Sequence, residues 1–175
     1  MDTSREPEHA GSTSSGGKSI VAFFSWSGNT RTIANQIHEY VGGDLFEIVS
    51  VDSYPRDYDE CVEKARQELD KASRPRLRSE VDDWGSYDVV FVGYPNWWGT
   101  IPMPVATFLM KCDSPDRTIA PFCTHGGGRL GRSVEDITKL CPRSKMLDAL
   151  AVSEGNVKRA GDQVSDWLHR IGTMR

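Results

Sequence analysis

The sequence predicts an α/β domain built on a parallel sheet with helices on both faces. Three observations carry that prediction. From residue 18 onward, short β-rich runs alternate with helical patterns, the order a parallel sheet requires. The first run, Ser19 to Phe24, is apolar almost throughout, as a strand buried on both faces should be. The length, 175 residues, suits one core of ordinary size and is short for two.

The elements follow in chain order. Residues 1–17 are rich in Ser, Gly, Glu and Pro and cannot offset their ordering entropy by burial, so a disordered tail is expected there and one domain over 18–175. After the first strand, Ile33, Ile37, Tyr40 and Val41 recur at helical spacing, and Gly42 and Gly43 supply a stop. A second strand is expected from Leu45 to Val51. A second helix then carries Tyr58, Val62, Ala65, Leu69 and Ala72 in steps of four and three. Arg74 to Tyr87 is charged and irregular. Asp88 to Gly93 reads as the third strand, followed by a helix bearing Val105, Phe108, Leu109 and Cys112. Thr118 to Cys123 is the fourth strand, with Val134, Ile137, Leu140 and Cys141 on the next helix. Met146 to Val152 is the fifth. Val157, Ala160, Val164, Trp167, Leu168 and Ile171 form the stripe of a last helix.

Composition narrows the partners. With 38% hydrophobic and 26% charged residues the profile is that of a soluble globular chain, and no run reaches the ~20 apolar residues of a membrane span. The net charge is −4, and half of it lies in the tail, where Asp2, Glu6 and Glu8 face Arg5 alone. A nearly neutral folded part offers no basic face, so neither nucleic acid nor a membrane surface is an expected partner. Cys61, Cys112, Cys123 and Cys141 make no C-x-x-C pair and no metal-ligand spacing, so reduced thiols and no metal are expected. The N-terminus has neither a basic start nor an apolar run, and a cytoplasmic location is the expectation.

Ligands of open parallel sheets bind outside the carboxyl ends of the strands, where the winding reverses. Three loops at such ends stand out. The first, Ser25-Trp26-Ser27-Gly28-Asn29-Thr30, runs straight into a helix, whose unpaired amides and dipole favour an anion. It holds no lysine and lacks the nucleoside triphosphate spacing, so a single terminal phosphate fits better. Ser, Asn and Thr are also ordinary helix caps, but capping needs only one of them. Arg31, next in line, either assists or is simply solvated. The second loop, Tyr94-Pro95-Asn96-Trp97-Trp98-Gly99, brings two aromatic rings that suit a flat conjugated ligand, and Gly99 opens backbone conformations closed to other residues. The third, Thr124-His125-Gly126-Gly127-Gly128, lets backbone amides approach a ligand closely. Cys123 and His125 invite a nucleophile-and-base reading, yet neighbours at a strand end project in different directions, and His125 reads better as a lining donor. No catalytic side chain is assigned.

Together these residues resemble the flavodoxin superfamily, in the bacterial branch that combines S-W-S-G-N-T with P-x-W-W-G-x-x-P. Ser25 to Thr30 match the first motif, Pro95 to Pro102 the second with Phe108 and Leu109 beyond it, and Thr124 to Gly128 the third loop. The resemblance implies a flavodoxin-like three-layer sandwich with a five-stranded parallel sheet in order 2-1-3-4-5 and flavin mononucleotide (FMN) at the switch point. By the same resemblance Ser25, Trp26, Ser27, Gly28, Asn29 and Thr30 would surround the phosphate. Pro95, Asn96, Trp97, Trp98 and Gly99 would flank the isoalloxazine, and Thr124, His125, Gly126, Gly127 and Gly128 would face its pyrimidine side. The third loop lacks the aromatic that commonly stacks on the ring in such proteins, which leaves one face for His125 or for a substrate.

Three functions remain open on this basis. The first is an electron carrier serving a redox partner protein or a small-molecule donor or acceptor, which needs no catalytic side chain. The second is an FMN-dependent NAD(P)H:quinone-type oxidoreductase. The third is a non-redox binding module, which the hydroxyls of Ser25, Ser27 and Thr30 argue against.

Overall fold

A computed structural model describes residues 17–174 of the chain. The tail expected over residues 1–17 lies outside them except for Gly17. The sheet is built from β1 (Lys18–Phe23), β2 (Asp44–Glu47), β3 (Tyr87–Pro95) and β4 (Thr118–His125), with β5 (Lys145–Met146) and β6 (Leu150–Ser153) along one margin. These six strands pair in parallel throughout and the order is β2-β1-β3-β4-β5, with β6 also on β4. The helices are α1 (Asn29–Val41), α2 (Tyr58–Asp70), α3 (Met103–Leu109), α4 (Ser133–Leu140) and α5 (Gly161–Arg170). This is the predicted doubly wound sandwich, with the winding reversing between β1 and β3.

The alternation of side chains along each strand makes the layers. Val21 and Phe23 of β1, Phe91 of β3, and Ala120 and Phe122 of β4 pack under α1 and α5, against Ile33, Ile37, Val164, Trp167 and Leu168. Ile20, Ala22, Val90, Val92 and Ile119 point the other way, onto Val105, Ala106 and Leu109 of α3 and Ile137 of α4. Both faces are dry, which is why these strands carry no polar alternation. At Gly93 the Phe122 ring lies where a Cβ would stand, only 2.1 Å away, so the β3–β4 contact tolerates no side chain there.

Three elements depart from expectation. The fifth strand is two pieces. Its interruption lies opposite Ala120 and Pro121, where proline has no amide to donate, and the Asp148 carbonyl instead accepts the Trp167 indole N–H at 2.8 Å. The second strand ends at Glu47. Beyond it the chain turns to bridge the segment read as irregular, Ser50 pairing antiparallel with Leu77, with Val51 N–H donating to Arg76 at 2.8 Å. The last helix starts only at Gly161, because Val157 belongs to a preceding 3₁₀ segment, Glu154–Arg159. Buried Arg117 closes the far end of the sheet by donating to the carbonyls of Cys112 (2.6 Å), Trp84 (2.5 Å) and Tyr87 (3.3 Å).

Candidate functional site

The first loop gives α1 no cap from its N-cap residue, and only a long contact from the residue before it, the Ser27 hydroxyl accepting the Asn29 amide at 3.5 Å. Its N-cap is Gly28, left-handed at φ 99°, and no side chain bonds the first-turn amides from that position. The Ser25 hydroxyl instead accepts the Gly28 amide at 3.1 Å, which closes the loop on itself. A helix start in this state presents unpaired donors and the positive end of its dipole to an anion. Thr30 is buried, its Oγ1 2.8 Å from that of Thr124, so a hydroxyl pair ties the first loop to the third. Arg31 does not serve the loop: it pairs with Glu47 at the end of β2 and lies over the Phe23 ring. Trp26 is tied to the neighbouring segment, its indole donating to the Pro55 carbonyl at 2.9 Å and meeting Tyr58 edge-on.

The second loop is a tight turn whose geometry its residues barely permit. Trp97 and Thr100 exchange both backbone hydrogen bonds, at 3.0 and 3.2 Å, so Trp98 and Gly99 are the two central residues. Both are left-handed, at φ 57° and 79°. That pattern is a type I′ turn, natural for glycine and costing roughly 1–3 kcal/mol for a bulky residue such as Trp98. The surroundings hold it in place. Asn96 accepts the Gly99 amide at Oδ1 (2.9 Å) and donates through Nδ2 to the Arg129 carbonyl (2.8 Å). The Gly99 carbonyl accepts the Arg132 amide at 2.8 Å. The two tryptophans then part. Trp97 packs inward, edge-on to Phe24 and Tyr54 at 5.2 and 5.1 Å, while Trp98 lies outward and donates to the Val62 carbonyl of α2 at 2.9 Å.

The third loop is exposed from Gly126 to Arg129. His125 Nδ1 accepts the Gly127 amide at 3.0 Å, which puts the neutral ring's proton on Nε2. Cys123 shares nothing with it. Its buried thiol, pushed up to about 12 by burial, donates to backbone carbonyls, so the pair is no nucleophile and base.

The three loops meet at one cleft of about 310 Å³, within the ~300–1,000 Å³ of small-molecule sites. Trp26, Ser27, Pro95, Asn96, Trp97, Trp98, Thr124, His125 and Gly126 line it. Ser25, Gly28, Gly99, Gly127 and Gly128 do not and belong to the turns around it, and Asn29 and Thr30, also outside the lining, open α1. Sequence reasoning missed five lining residues: Tyr58, Cys61, Val62 and Ala65 of α2, and Glu154 after β6. Tyr58, Val62 and Ala65 stand in the apolar stripe expected of the second helix and Cys61 does not, and such a stripe does not say whether a sheet or a cleft lies against it. Nothing in the sequence pointed to Glu154. Among the described residues there is no cluster suited to a metal ion, and no helix is long and apolar enough to cross a membrane.

An open parallel sheet in this order, with a cleft at its switch point, defines the flavodoxin-like class of α/β proteins. The flavodoxin family profile matches residues 18–171, and the chain belongs to that family. Among solved structures it is similar to a Bacteroides eggerthii protein assigned as a flavoprotein, with 29% identity over 89% of this chain and 98% of the other, at a TM-score of 0.78. A second such protein, from Bacteroides uniformis, is 26% identical over 88% and 99% of the two chains, with the same TM-score of 0.78. A Lactobacillus acidophilus flavoprotein, solved in complex with FMN, shares the fold at 21% identity and a TM-score of 0.67, covering 86% and 98%. No curated protein sequence matches the chain.

Proposed function

We propose that the chain is a redox flavoprotein that holds one FMN non-covalently across the carboxyl ends of β1, β3 and β4 and passes electrons through it. The observation that carries this reading is the lysine-free start of α1, with no cap from its N-cap residue, beside a cleft lined by Trp97, Trp98 and the Thr124–Gly126 backbone. The residues suit the group. A monophosphate would take the first-turn amides and the hydroxyls of Ser25 and Ser27, with no metal required. The ring would lie beside the Trp97–Gly99 turn, with Asn96 fixing that turn and His125 Nε2 as a donor. FMN supplies one- or two-electron chemistry when bound, and these side chains only bind and orient it.

Electron transfer to a redox partner protein or a small-molecule donor or acceptor is the first form of this role, in the cytosol, where four free buried cysteines are at home. The oxidoreductase form is favoured by one feature: the exposed, aromatic-free loop Gly126–Gly128 leaves the cleft accessible on that side.

The test is purification and an absorption spectrum, then anaerobic reduction. The protein is expected to bind FMN, and Ser27→Ala with Thr30→Ala is expected to weaken retention about tenfold or more. A chain that takes up no FMN, or a double variant that retains it unchanged, overturns the proposal. Reduction in two resolved one-electron stages supports the carrier. Rapid bleaching by NADH or NADPH with turnover on added quinone supports the oxidoreductase.

A further inference from the structure

In a chain of net charge −4, the run Arg74-Pro75-Arg76-Leu77-Arg78 sets three cations in five positions. The segment is held in place. Leu77 pairs with Ser50 and packs against the core. On either side of it, Val51 N–H donates to the Arg76 carbonyl and Arg78 N–H to the Val49 carbonyl, both at 2.8 Å. Arg74 turns its guanidinium to the carbonyls of Ala72 and Ser73. Arg76 and Arg78 are exposed and, among the described residues, form no ion pair.

Both line a groove of about 340 Å³ between this segment and α3, a size that suits a small molecule. None of its lining residues belongs to the flavin cleft. Lys111 also lines the groove and is already paired with Glu80, the one carboxylate there. Three cations thus stand against one engaged anion. Much of the remaining lining is apolar, with Leu77 and Val81 beside the rings of Trp84 and Phe108, whose centroids lie 5.2 Å apart. Arg117, outside the lining, lies 5.0 Å over the Trp84 ring and adds positive charge nearby. A guanidinium fork matches the two oxygens of a carboxylate, and a carboxylate conjugated to a ring lies in the ring's plane. One flat molecule can therefore give its ring to the apolar lining and both oxygens to an arginine.

We propose that the groove between residues 76–84 and α3 is a second binding site, which takes a flat aromatic carboxylate through Arg76 and Arg78. It shares no residue with the flavin cleft and does not rest on the flavin reading.

The test is calorimetric titration of the full chain with 2-naphthoate, as purified and again with FMN added. One equivalent is expected to bind, with affinities that agree within about threefold in the two states. Arg76→Gln and Arg78→Gln, which change exposed side chains and leave the backbone bonds in place, are each expected to weaken binding about tenfold or more. 2-Naphthalenemethanol, the same ring without the charge, is expected to bind about tenfold more weakly. Inorganic phosphate, charged but without a ring, is expected to be weaker by about the same factor. No binding of 2-naphthoate, or binding indifferent to both variants, overturns the proposal. So does binding that is lost when FMN is added, because the probe would then sit in the flavin cleft. Phosphate that binds as tightly as 2-naphthoate overturns it too, since the apolar lining would then contribute nothing. Uptake of FMN itself bears on the flavin reading alone.

Discussion

Asn96 holds two loops with one side chain. Its carbonyl takes the Gly99 amide and its amino group reaches the Arg129 carbonyl, so the strained Trp98–Gly99 turn is fastened to the glycine loop across the cleft. Aspartate could keep the first bond but not the second, and alanine keeps neither. Asn96→Ala is therefore expected to lower unfolding free energy by about 1–3 kcal/mol, measured by urea denaturation. The composition of this loop pointed to the site, but the role of Asn96 depends on Arg129, more than thirty positions along the chain, and no local pattern reports such a bond.

At the scale of elements, β1, β3 and β4 were legible because a strand dry on both faces must be apolar at every position. The role of α2 was not. A stripe at i, i+3, i+4 and i+7 says that a face is apolar, not whether a sheet or a cleft lies against it. The split of the last strand was equally hidden, since Met146 to Val152 is continuously strand-like apart from Asp148, and the Trp167 indole that claims the Asp148 carbonyl arrives from α5. The β3–β4 contact gives a prediction of its own. Gly93→Ala would drive a methyl into the Phe122 ring and is expected to cost about 1–3 kcal/mol, read as a lowered denaturant midpoint with unchanged slope.

For the molecule as a whole, one surface network links the first three strands. Tyr87 of β3 and Lys18 of β1 both bond the Asp44 carboxylate of β2. The Tyr87 hydrogen bond and then Lys18 hold the Asp44 carboxyl below its ordinary value, and the same bond pushes Tyr87 up to about 12. Between the folded and unfolded values of Asp44 the unfolded chain binds more protons, so stability rises with pH across that window. The contribution is present above the ordinary carboxylate range and is lost as pH falls through the depressed value. Asp44→Asn is expected to flatten that part of the stability profile, checked by unfolding at a series of acid pH values.

The margins of the sheet are short. On one side β2 offers four residues, and on the other β5 and β6 offer two and four with a break between them. A long, flat row of unpaired amides and carbonyls is a template on which another molecule's strand can grow. Neither border here is long enough to hold a foreign strand in register. The Trp167–Asp148 bond lies in the break of one of them, between β5 and β6.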